Sequence, residues 1–73
     1  MKPPKTMQLM YKGRDSWDRP VYECDGILYV DTDPRSGYAP NICTKSGNEF
    51  DGEPDCPISR DVEVVFVPSR DVW

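Results

Sequence analysis

The sequence predicts an all-β domain, a small antiparallel sheet of four to five strands, curled or rolled into an SH3-like open barrel. Three observations carry that expectation. Asp25-Gly26 stands between two runs rich in β-branched and aromatic residues, the strongest short-range hairpin signal. Eight prolines and five glycines scattered through 73 residues keep regular segments short. No window of about 11 residues holds an apolar stripe at i, i+3, i+4 and i+7 free of glycine and proline, so helix is scarce.

Residues 1–5 contain two consecutive prolines and nothing strongly apolar, and read as a disordered arm. A single small β domain then spans residues 6–73. Met7, Leu9 and Tyr11 alternate with Gln8, Met10 and Lys12, the period-two pattern of a first strand with one wetter face. Residues 13–20 form a polar connection, and Pro20 fixes its own φ while pushing Arg19 toward extended geometry, so a second strand starts at Val21. This strand reaches Cys24, turns at Asp25-Gly26 and returns over residues 27–32. A two-residue turn sets the register: Cys24 faces Ile27, Glu23 faces Leu28, Tyr22 faces Tyr29 and Val21 faces Val30.

Residues 33–40 are a loop by their turn residues, Ile42-Cys43-Thr44 is a short strand, and residues 49–57 are irregular. Residues 62–67 are the most β-prone segment, with apolar side chains on both faces. They read as a central strand covered on both sides.

A chain this short buries roughly 60% of the surface that it exposes when unfolded, enough for one core and no second domain. The first residues carry positive charge, but no apolar run of about 7 to 15 residues follows, so no secretory signal is expected and the protein is expected to be cytoplasmic. Its longest apolar runs, residues 27–30 and 64–67, fall far short of the about 20 needed to cross a bilayer. Cys24, Cys43 and Cys56 are odd in number and expected to be thiols. They include no Cys-x-x-Cys, and the chain has no histidine, which leaves little from which to build a zinc site.

The missing histidine also removes Ser-His-Asp and Cys-His catalysis and the commonest general base near neutral pH. All five glycines are isolated, so no phosphate loop is present. The expectation is therefore a protein that is not an enzyme and carries no cofactor. A net charge of −4 argues against direct nucleic-acid binding, which needs a surplus of Lys and Arg on one face.

Two stretches gather unusual polar residues. Arg14, Asp15, Trp17, Asp18 and Arg19 put two guanidiniums, two carboxylates and an indole into six loop residues, a mixture suited to recognition because Arg and Trp offer large, orientable contacts. In the blander reading, Trp17 caps the core while its charged neighbours form local ion pairs and an Asx turn. Glu49, Asp51, Glu53 and Asp55 form an acidic surface whose spacing misses that of a calcium loop, so no metal is expected. Phe50 within that stretch is expected to tuck into the core. Arg14-Asp15-Ser16-Trp17 is echoed by Arg70-Asp71-Val72-Trp73, too short a match to show a duplicated element.

Three segments carry a resemblance: Tyr11 to Glu23 with Asp25-Gly26, Tyr29-Val-Asp-Thr-Asp-Pro34, and Glu49-Phe-Asp-Gly-Glu-Pro-Asp55. Across residues 9–58 the chain resembles a group of short uncharacterised proteins encoded by phages and mobile elements of Gram-positive gut bacteria. The resemblance supplies no catalytic residues. It implies a small protein that binds and blocks a host protein or its nucleotide signal. The expected function is thus a non-enzymatic protein-interaction module, a phage or mobile-element inhibitor of a host protein. It would dock through the 14–19 loop, with Trp17, Tyr38 or Trp73 as aromatic anchors. The alternative is a binder or sponge for a nucleotide or phosphate, with Arg14, Arg19 and Arg35 holding the anion and a tyrosine or tryptophan stacking on the base. A weaker third reading makes the acidic surface a nucleic-acid mimic.

Overall fold

A computed structural model describes residues 5–58 and 62–72. Of the expected arm only the Lys5 backbone lies within the described residues, where it opens a strand; Trp73 lies outside them. The small, mainly β architecture is as expected, but the described residues form six strands where four to five were expected: β1 (Lys5–Arg14), β2 (Pro20–Cys24), β3 (Ile27–Asp31), β4 (Ile42–Lys45), β5 (Pro54–Pro57) and β6 (Val62–Val67). They form one sheet in the order β5-β4-β3-β2-β1-β6. Its pairs are antiparallel except β1 with β6, which run parallel, so the sheet is mixed where an antiparallel one was expected. A single 3-10 turn, Ser46–Asn48, is the only helical element among the described residues. None of their helices is long and apolar enough to cross a membrane.

The central hairpin forms in the expected register, Cys24 to Ile27 through Val21 to Val30. Its turn needs positive φ at both central residues, and Asp25 (52°) and Gly26 (79°) supply it. That register lines up three tyrosines across β1, β2 and β3, since Tyr11 pairs with Tyr22 and Tyr22 with Tyr29. Leu9, Tyr22 and Ile42 form the buried core on this face, with Met7, Tyr11, Cys24, Tyr29, Ile58, Val64 and Phe66 packed around them. Tilted ring pairs join Tyr22 to Tyr11 at 5.6 Å and to Phe66 at 4.9 Å.

Val21, Val30 and Cys43 make the matching row on the opposite face, and all three are buried. The strands covered on both faces are therefore the middle ones. β6 is an edge strand, contrary to the expectation for residues 62–67: Glu63 and Val65 are exposed, whereas Val62, Val64 and Phe66 face the core half-buried. Apolar content alone does not place a strand within a sheet, because an edge strand of a rolled sheet also keeps one face inside.

The sheet is rolled but open. Pro57 ends one edge strand and Val62 begins the other only five Cα steps later, a span of at most about 19 Å. Ile58 packs against the same core as Val64 and Phe66. Between the two edges lies an open cleft of about 630 Å³, lined by residues that include Ile42, Pro57, Ile58, Val62 and Val64. Residues 49–57 are not wholly irregular, since β5 pairs with β4 across a bulge.

Candidate functional site

The 14–19 loop joins β1 to β2 and is organised around the Asp15 carboxylate. Its Oδ1 accepts the backbone N–H groups of Trp17 and Arg19, each at 2.9 Å, which is the expected Asx turn. Backbone bonds from Asp18 N to Asp15 O and from Asp15 N to Arg19 O close the loop. The short polar side chain of Asp18 lets it take the positive φ of 62° that this closure needs.

Asp15 Oδ2 accepts Lys45 Nζ at 2.5 Å and Arg19 Nε at 3.3 Å, and both side chains of the Asp15–Lys45 pair are fully buried. Burial pushes the Asp15 carboxyl up, but the Lys45 ammonium and the two loop N–H groups outweigh it and hold the carboxyl below its ordinary value. Lys45 also donates to Gly52 O at 3.1 Å, and Ser16 N–H donates to Asp51 Oδ1 at 2.8 Å. The two stretches singled out in the sequence are thus fastened together. Gly52 makes this possible, because a Cβ there would stand 2.5 Å from Ser46 O.

Trp17 is 61% exposed, so it does not cap the core. Its neighbour Arg19 lies 5.8 Å from the indole centroid, and one Arg19 nitrogen, Nη2, is buried with no hydrogen-bond partner among the described residues. Arg14 forms a two-pronged pair with Asp71, at 2.9 and 3.0 Å, and reaches Asp18 at 3.2 Å. Tyr11 donates its hydroxyl to the same Asp71 carboxylate, while Asp71 N–H donates to Tyr22 OH. Arg14 first and Tyr11 second hold the Asp71 carboxyl down to about 2.

Arg35 and Tyr38 sit in the loop between β3 and β4. Arg35 grips Asp33 through two bonds at 2.7 and 3.2 Å and stacks over the Tyr38 ring at 4.0 Å, leaving Tyr38 55% exposed. Arg70 braces this loop by donating to Tyr38 O, Asp33 O and Asp31 Oδ2. Asp31 is fully buried and accepts the N–H groups of Asp33 and Asn41. Adjacent residues Arg70 and Asp71 therefore tie the Tyr38 loop to the Trp17 loop at one end of the sheet.

Of the acidic residues, Asp51 is drawn to the Trp17 loop, whereas Glu49, Glu53 and Asp55 are simply exposed. Phe50 is 38% exposed, contrary to the expectation that it enters the core; it precedes Asp51 and Gly52, through which this turn is fastened to Ser16 and Lys45. Cys24, Cys43 and Cys56 are free thiols, and burial pushes that of Cys43 up. Among the described residues no three Cys, Asp or Glu side chains cluster as metal ligands would. Sequence reasoning missed Lys45, Asp31 and the bracing pair Arg70 and Asp71; only the Arg-Asp echo pointed at the last two.

Comparison with protein-family models found no match, and comparison with curated proteins and with solved structures found none either.

Proposed function

We propose that this chain is a non-enzymatic protein-interaction module, a cytoplasmic inhibitor of phage or mobile-element origin that docks on a host protein through the 14–19 loop. The observation that carries the reading is an indole 61% exposed on a loop whose backbone is fixed by a fully buried ion pair. Fixing a loop before binding removes the ordering cost from association, and tryptophan and arginine are the residues most enriched among those that dominate interface energy. Tyr38, held by Arg35 and Arg70 at the same end of the sheet, supplies a second aromatic contact. The nucleotide or phosphate reading has less support, because Arg14, Arg19 and Arg35 each already face a carboxylate of the chain itself.

The test is affinity capture from a Gram-positive host lysate, identification by mass spectrometry, and calorimetric titration of the purified partner. Trp17→Ala is expected to weaken that partner's binding by about 2 kcal/mol or more, the level of an interface hot spot, with the melting temperature unchanged. Unaltered affinity, or a variant that unfolds, would assign Trp17 a structural role and overturn the reading.

A further inference from the structure

Of the two edges of this sheet, one is guarded and one is not. β5 is four residues long, begins on Pro54 and ends on Pro57, and proline has no N–H to offer an incoming strand. β6 has six residues with no proline, glycine or lysine and a single charge, Glu63. It pairs with β1 in an unbroken parallel ladder from Val62 to Val67. In such a ladder alternate residues turn both N–H and C=O to the same neighbour, so half of the β6 backbone groups point away from β1. No strand among the described residues meets them.

Alongside this edge runs the apolar cleft bounded by Pro57, Ile58, Val62 and Val64. We propose that the free edge of β6 takes up an extended, basic segment of a partner protein as an added strand, with alternate apolar side chains entering the cleft. Backbone pairing along β6 gives such a segment its direction, and the cleft selects the side chains on one of its faces. On the other face the neighbours are Glu63 and the exposed Val65. Glu63 is the one charge on the edge and the whole chain carries −4, so lysine or arginine in the segment is matched while aspartate or glutamate is repelled.

A second copy of this chain fits the edge less well. Paired β6 to β6, Val64 and Phe66 of each copy stay with their own core, Phe66 against Tyr22 at 4.9 Å, so nothing enters the cleft. Two chains of charge −4 would also have to approach. The β6 edge shares no residue with the 14–19 loop, so this inference goes beyond the function proposed above and stands or falls separately.

The probe is a fluorescein-labelled peptide, Lys-Val-Lys-Val-Lys-Val-Lys, titrated with the full chain by fluorescence anisotropy and by ¹⁵N amide spectra. Saturable binding is expected, with shifts concentrated at the amides of residues 62–67. Methylating the peptide nitrogens at all valines, or at all lysines, should weaken binding about tenfold for one of the two series and spare the other, because a strand turns alternate N–H groups to its neighbour. Glu63→Lys should weaken the probe and admit the Glu-Val counterpart that the native chain refuses, whereas Trp17→Ala should change neither. No binding at millimolar peptide, indifference to both methylation series, or shifts away from residues 62–67 would overturn the proposal. Concentration-dependent shifts of those amides without peptide would also overturn it, by giving the edge to a second copy.

Discussion

Asp15 and Lys45 each bury a full charge, and neither side chain has solvent to fall back on. Removing Lys45 leaves the buried Asp15 carboxylate with Arg19 Nε at 3.3 Å and two backbone N–H groups, a partial compensation that puts the cost at about 3 kcal/mol, the lower end for a broken buried pair. Lys45→Met should destabilise the chain by that amount in urea unfolding, and a loss within about 1 kcal/mol would mean that water reaches Asp15. Asp71 gives a pH-dependent prediction. Arg14 and Tyr11 hold its carboxyl down to about 2, below the ordinary aspartate value of about 3.9. A carboxyl depressed on folding contributes its full stability above the unfolded value and loses it as pH falls toward the folded one. Asp71→Asn should therefore melt below the native chain near neutral pH, with the gap closing between about pH 4 and pH 2. A gap of constant width would contradict the assignment. Asp15 stood out in the sequence because its neighbours are local, but Lys45 lies 30 residues away on the Cys43 face of β4, opposite the Tyr22 core, where no local pattern marks a charge as buried.

At the scale of elements, the hairpin was legible to the residue because a two-residue turn fixes register by itself, and Asp25-Gly26 supplies the dihedral angles that the turn requires. β6 was legible as a strand but not as an edge, since its partner β1 lies more than 50 residues earlier and the pairing is parallel. β5 was missed because a four-residue strand bounded by prolines looks like a loop in sequence. Gly52 tests how tightly the β4–β5 connection is packed. An alanine Cβ there would meet Ser46 O at 2.5 Å and Glu49 O at 3.1 Å, both backbone atoms that cannot rotate aside. Gly52→Ala should cost about 1–3 kcal/mol in urea unfolding, a typical overpacking penalty, and should loosen the Lys45 contact to the Gly52 carbonyl. A neutral effect would show that the turn yields freely.

Across the whole molecule, a rolled sheet carries two aromatic loops at one end, and the β6 edge along its side meets no further strand among the described residues. The β class followed from the turn residues and the scarcity of helical periodicity. The coupling of the Trp17 and Tyr38 loops did not, because it runs through Arg70 and Asp71, which touch both loops only after the sheet has rolled. Whether Trp17 caps the core was likewise undecidable from composition, since an indole suits packing and contact alike; its exposure sets the packing role aside. The central claim is that this indole is the point of docking. The indole N–H resonance of Trp17, assigned by its loss in Trp17→Phe, reports on that contact directly during titration with the captured partner. It should shift or broaden in step with complex formation. An indole signal that stays unmoved while the partner binds and other resonances change would contradict the account.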